Sequence, residues 1–223
     1  MSVRVSRFEM PKRVAKDEAT ATPTYARFAA EPFEIGYART IGNSLRRVLL
    51  SSIEGIAITA IRLKGASHEF CSLPGVAEDV TDIILALKQV LIKAHGRAPS
   101  SISIRRKGPC LITAGDFETT SAIQIVNPEL PIATVGEDGE FELEADIATG
   151  RGFHPAEWNK SDDHDIGVIT IDSIFSPVTR VNFQVEHTRI GHRTDYEKLV
   201  IDVWTDGRIS PEEALRTGAS LLR

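Results

Sequence analysis

Residues 34–55 read EIGYARTIGNSLRRVLLSSIEG, and the fold of the whole chain turns on how this stretch is read. Ile41, Leu45, Val48, Leu49 and Ile53 recur at helical spacing and fall on one stripe at about 100° per residue. Thr40 is placed to cap such a helix, and Gly55 to end it in a left-handed turn. Asn43, Arg47 and Leu50 are four and then three residues apart, so they share a different side. One reading of that side is a solvated face that is slightly untidy. The other, favoured here, is a contact surface: Leu and Arg can anchor an interface, whereas a solvated face gains nothing from the Leu.

Outward from this helix, the first 22 residues are mixed polar and read as a loosely ordered arm ending at Thr22-Pro23. Residues 24–33 carry Tyr25, Phe28 and Phe33 and read as a strand with Pro32 at its edge. IAITAIRL, 56–63, is apolar enough for a buried strand. After Leu73-Pro74-Gly75 a second helix is expected to about Lys93, with Val76, Val80, Ile83, Ile84, Leu87 and Leu91 as its stripe. Leu85, Lys88 and Ile92 would lie on another face. That face is either packed beneath a second layer with Lys88 snorkelling outward, or a second contact surface.

Beyond His95-Gly96 the pattern is β. Short strands are expected near 101–106, 110–113, 122–126 and 131–135. In 141–147 Phe141, Leu143, Ala145 and Ile147 alternate with Glu142, Glu144 and Asp146, one dry face and one wet. Gly150-Arg151-Gly152 and 159–165 read as loops. Strands resume at 166–172, 178–187 and 198–205, and Asp206-Gly207 is a turn. Ser210-Pro211-Glu212-Glu213 then opens a helix with a cap, a first-turn proline and a capping-box glutamate. It carries Ala214, Leu215, Ala219 and Leu222 and is still in phase at Arg223, as in a truncated chain or one whose end a neighbour holds. Helices and strands do not alternate regularly, so the class is α+β.

At 223 residues, 42% hydrophobic and 26% charged, the chain can build one large domain or two small ones of ordinary globular composition. No apolar run approaches a membrane span, and the first residues have no signal-peptide core. The isolated Cys71 and Cys110 fit a reducing cytoplasm rather than a disulfide framework. A formal charge of −5 disfavours a primary DNA binder, and Arg46-Arg47 and Arg105-Arg106-Lys107 are too short to overturn this.

Catalytic constellations are not expected. His68-Glu69 begins a zinc-protease pattern, but position 72 is Ser rather than His. The histidines lie far apart, and His187 and His192 would not share a helix face. Gly36 and Gly42 make no dinucleotide fingerprint, and Ser51-Ser52 has no base at triad spacing. Arg151 between glycines reads as a solvated turn or an RNA contact. Asp162, Asp163 and Asp165 read as a solvated loop or a divalent-ion site. The balance favours an interaction protein.

Several ordered stretches carry a family resemblance. GYARTIGNSLRRVLLSSIEG is similar to the G-x-x-x-T-[LI]-G-N-[AS]-L-R-R-[VI]-L-L-S-S segment of the alpha subunit of bacterial RNA polymerase. HEFCSLPGVAEDVTDIILALK (68–88), GRGFHPAEW (150–158) and SPVTRVNFQVEHTRIGHRTDYEKLVIDVWTDGRISPEEAL (176–215) follow in the family's order. The resemblance implies a discontinuous dimerisation domain, 1–55 and 174–223, with a mostly β domain, 56–173, inserted in it. It implies a homodimer that recruits the beta and then the beta-prime subunit in a cytoplasmic transcription enzyme.

By the same resemblance the dimer contact uses the first and last helices, here Ile41, Leu45, Val48, Leu49, Leu215, Ala219 and Leu222. Beta-contact positions fall on Asn43, Arg47 and Leu50, and beta-prime positions on Lys88 and Ile171. Magnesium-dependent nucleotidyl transfer belongs to the large subunits, so no cofactor and no catalytic residue are expected in this chain. The family continues into a C-terminal domain that binds promoter DNA. This sequence has no match to it, and direct DNA binding is not expected. Two rival readings differ in class: a stand-alone α+β enzyme with a pocket in the inserted region, and a truncated paralogue that occupies a dimer partner and regulates polymerase.

Overall fold

Alternation and β-branching set most of the secondary structure, and the chain is α+β, with three α-helices among antiparallel strands in the described residues. The structure is a computed structural model, and it describes residues 9–94, 96, 100–160, 167–190 and 193–223. In chain order the first elements are β1 (Val14–Lys16), β2 (Tyr25–Glu34), α1 (Tyr37–Ser51), β3 (Glu54–Leu63), α2 (Val80–Leu87) and β4 (Ile92–Ala94). Then come β5 (Ser101–Lys107), β6 (Cys110–Thr113), β7 (Ile123–Ile125), β8 (Pro131–Val135), β9 (Glu140–Arg151) and β10 (Phe153–His154). The last are β11 (Val168–Thr170), β12 (Ser173–Ile174), β13 (Val178–Ile190), β14 (Arg193–Thr205) and α3 (Pro211–Leu221). Two compact units result: one from residues 1–53 with 177–223, the other from 54–176.

In the first unit a four-stranded antiparallel sheet runs β1-β2-β14-β13. Leu199, Ile201 and Val203 of β14 sit opposite Ala30, Phe28 and Ala26 of β2, and all six are buried. Side chains of period two thus give the sheet one dry face, on which α1 and α3 lie. The expected loose arm is partly ordered, since β1 pairs with β2 through Val14↔Ala30 and Lys16↔Phe28.

Both expected ends of the first helix are corrected. α1 starts at Tyr37, behind Gly36 with φ 83°, and Thr40 lies inside it with its hydroxyl donating to the Gly36 carbonyl at 3.3 Å. The missing cap comes from the sheet. Glu197 of β14, buried, accepts from the Ala38 N–H at 3.3 Å and so serves one of the first-turn donors that a helix leaves open. At the other end Ser52 closes α1 with its N–H on the Val48 carbonyl at 2.8 Å. Gly55 belongs to β3, opposite Gly150.

In the second unit the sheet runs β5-β9-β3-β4-β7, and β11 also pairs with β3. Phe141, Leu143, Ala145 and Ile147 of β9 are buried and pack with β3 and α2 in one core. Gly150-Arg151 extends β9 instead of forming a loop, because a Cβ on Gly150 would lie 2.8 Å from the Phe175 ring and only glycine lets the strand pass. β6 pairs with β8, and β10 with β12.

The second helix is far shorter than its periodicity implies. Val76 bridges to Val135 before the helix begins. After Leu87 the Asn127 side chain accepts from Leu91 N at 2.9 Å and donates to Gln89 O at 2.9 Å, holding a turn. Ile92 then pairs with Ile56 of β3 and Ile125 of β7 and is buried. A β-branched residue with two waiting strand partners prefers the sheet. Residues 161–165 and Ile166, hence the Asp162, Asp163 and Asp165 group, lie outside the described residues, as do His95, His192 and the first eight residues.

Candidate contact surfaces

The position of α1 depends on a glycine. A Cβ on Gly42 would lie 2.6 Å from Cδ2 of Phe183 and 2.9 Å from Cδ1 of Leu199, so the helix backbone rests directly on β13 and β14. Leu45 and Leu49 drop into the core beneath. That fixes what points away: Asn43 and Arg47 are exposed, and Leu50 is half-buried. Among the described residues none hydrogen-bonds or ion-pairs with the Asn43 amide or the Arg47 guanidinium. An unpaired guanidinium fork and an amide, one turn apart and edged by a leucine, can receive a carboxylate or backbone carbonyls from another chain.

The apolar positions assigned to a dimer contact separate into two groups. Leu45 and Leu49 are 8% and 0% exposed, so their side chains belong to the unit's own core and offer no surface. Ile41, Val48 and Leu215 are half-buried, while Ala219 and Leu222 are exposed. α3 turns Pro211, Ala214 and Gly218 inward instead. A Cβ on Gly218 would lie 2.8 Å from Cδ2 of Leu49, so α3 and α1 meet at close range through a missing side chain. Leu221, 50% exposed, joins Leu222 on the outer surface. The Ser210 hydroxyl accepts from Glu213 N at 3.2 Å and caps α3. A glycine inside a helical run costs about 1 kcal/mol against alanine and so asks for a packing reason; Gly42 and Gly218 carried that signal.

Lys88 and Ile171 also differ. Ile171 is 2% exposed, with its N–H donating to Thr59 O at 3.0 Å; its side chain fills the core and cannot reach a partner. Lys88 closes α2, and its ammonium donates to Asp172 Oδ2 at 2.9 Å. The other oxygen of Asp172 accepts from Ala156 N at 2.8 Å. The hydrogen bond from Lys88, then that from Ala156, holds the Asp172 carboxyl below its ordinary pKa. Leu85, one turn back, is 52% exposed.

A cavity of about 440 Å³ lies over β5, β9 and β3, lined by Arg62, Lys64, Arg105, Glu118, Glu142 and Glu144 among others. Each of its three cations meets a carboxylate, two of them the same one: Arg62–Glu144 at 2.9 Å, Lys64–Glu142 at 3.2 Å and Arg105–Glu142 at 3.2 Å. This is the wet face of β9 held by cross-strand ion pairs. Arg151 is paired likewise, its Nε donating to Glu54 at 3.2 Å. Among the described residues no three His, Cys, Asp or Glu side chains converge to hold a metal ion. Cys71 and Cys110 are free thiols. No described helix is long and apolar enough to cross a membrane.

Residues 58–176 match the family described as RNA polymerase Rpb3/RpoA insert domain. Over 200 residues, 90% of its length, the chain is 48% identical to a DNA-directed RNA polymerase subunit alpha of Symbiobacterium thermophilum, 64% of which is covered. Over 198 residues, 89% of its length, it is 50% identical to the protein of that name from Carboxydothermus hydrogenoformans, of which 63% is covered. Over all 223 residues it is 43% identical to that from Rhodopirellula baltica, covering 67% of it. The chain spans a little under two thirds of the length of the first two relatives.

Proposed function

This chain belongs to the family of bacterial RNA polymerase alpha subunits, and on that premise we propose that it is a non-catalytic assembly scaffold, which dimerises and recruits the beta and beta-prime subunits. Nucleotidyl transfer, with its magnesium, is assigned to those large subunits. The observation that carries the reading is the outer face of α1, where Asn43 and Arg47 stand exposed beside Leu50 on a helix fixed from beneath by Gly42. A rigid element presenting an Arg fork suits a protein contact better than a solvated face.

Beta is assigned to Asn43, Arg47 and Leu50. The dimer contact is assigned to the surface parts of α1 and α3, meaning Ile41, Val48, Leu215, Ala219 and Leu222. An exposed apolar edge on paired helices supports a two-fold contact, since one patch can serve both copies. The unit built from 1–53 and 177–223 would be the dimerising one. Beta-prime is assigned to the surface around Lys88.

The test is reconstitution with the two large subunits, read as subunit stoichiometry by mass. Truncating one partner of a buried charged contact costs about 2–5 kcal/mol, so Arg47→Ala should remain a dimer and fail to retain beta. Normal capture of beta by Arg47→Ala would remove that face from the assembly.

A further inference from the structure

Helix α1 carries three arginines, Arg39, Arg46 and Arg47, and no Asp or Glu. All three are exposed, and among the described residues none of their guanidinium groups hydrogen-bonds or ion-pairs with a partner. By contrast Arg62, Lys64, Arg105, Arg106, Lys107 and Arg151 each pair with a carboxylate. Arg39 is also the third residue of α1, inside the first turn, where the helix dipole favours acids and disfavours a cation. Local stability would not select it there.

The three charges are gathered on one side. At 100° per residue Arg39, Arg46 and Leu50 fall within about 20° of one line, with Asn43 at about 40° and Arg47 at about 80° from it. Val48 lies about 180° round, on the flank that α3 approaches, where a Cβ on Gly218 would be 3.9 Å from Val48 Cγ1. The helix thus has an apolar flank beside α3 and a cationic band on the flank away from it.

We infer that Arg39 and Arg46 widen the α1 contact into a cationic band that receives an acidic segment of a protein partner. Its carboxylates would meet two guanidiniums about 10 Å apart along the helix, and an apolar residue would cover Leu50. Guanidinium forks suit carboxylates and phosphates alike, and two observations favour the carboxylates. Leu50, half-buried on the same line, offers an apolar contact that a phosphate track does not use. Three cations on a chain of formal charge −5 are too few to hold a nucleic acid. A second copy of the chain fits no better, because a two-fold contact through this band would set like charges against each other. Resting on the function proposed above, the acidic segment belongs to the beta subunit. Arg39 and Arg46 act mainly before contact: unpaired charge steers an acidic surface into register, which shows as a salt-dependent association rate.

The experiment follows association of the purified dimer with the beta subunit between about 50 and 300 mM salt, a range over which screening becomes strong. Arg39→Gln combined with Arg46→Gln should slow association at least about tenfold at the low end and flatten its salt dependence. Dimer mass and thermal midpoint should stay unchanged. Arg39→Lys combined with Arg46→Lys keeps both charges and should keep the salt dependence. A glutamine variant that associates like wild type at every salt concentration overturns the inference alone. So does a lysine variant slowed as much as the glutamine one, since that would trace the effect to shape rather than charge. If wild type binds no beta at any salt concentration, the function proposed above falls and takes the inference with it. Binding of a single-stranded DNA oligonucleotide by wild type, lost in the glutamine variant, overturns the choice of a protein partner.

Discussion

Replacing Gly218 by alanine pits two effects of known size against each other. Alanine is favoured over glycine inside a helix by about 1 kcal/mol, so on an open face the change would stabilise α3. Here the new methyl would lie 2.8 Å from Cδ2 and 3.3 Å from Cγ of Leu49. Leu49 is 0% exposed and has nowhere to retreat, so α3 must lift or Leu49 must leave its rotamer, at about 1–3 kcal/mol. The steric term wins, and Gly218→Ala should destabilise by about 1 kcal/mol net.

The sign should reverse when the obstacle is removed. Leu49→Ala alone costs about 2–5 kcal/mol, but in that background Gly218→Ala should gain about 1 kcal/mol. The assay is urea unfolding at fixed protein concentration, followed by Trp204 in a Trp158→Phe background. Trp204 reports this unit because its ring lies 5.0 Å from Tyr25 and 4.7 Å below the Arg180 guanidinium. Stabilisation by Gly218→Ala in wild type, or the same sign in both backgrounds, would refute the packing account.

Glu197→Ala removes the acceptor of the Ala38 N–H and should cost about 1 kcal/mol, with loss of amide protection confined to the first turn of α1 in hydrogen exchange. Asp172 has a depressed folded pKa, so its contribution is present above the ordinary carboxylate value of 3.8 and is lost as pH falls through the lower folded value. Carboxyl NMR titration should find Asp172 below that value in wild type and closer to it in Lys88→Met. Glu142→Gln breaks ion pairs to both Lys64 and Arg105, yet exposed pairs contribute little, and the loss in denaturant unfolding should stay below about 1 kcal/mol. A larger loss would mean that the charged face of β9 is more than a solvated one.

Local periodicity alone established the strands of period two. Phe141 to Ile147 and Leu199 to Val203 could be read directly, since each residue's face follows from its parity. The Ser210 cap was equally legible, because a capping side chain acts within three residues of itself. The same reasoning isolated the Asn43, Arg47 and Leu50 side of α1, since four-residue spacing fixes a helix face wherever the helix lies.

Whatever depended on residues distant in sequence had to wait for the tertiary structure. α1 takes a cap from Glu197, more than 150 residues away. α2 yields its last turns because Ile92 finds partners in β3 and β7. A stripe of apolar residues states that something is buried, without saying against what. The family resemblance assigns Leu45, Leu49 and Ile171 to partner contacts, and the folded chain uses them inside itself. Burial is a property of assembled layers, whereas spacing is a property of the local chain, and only the second is written in order along the sequence.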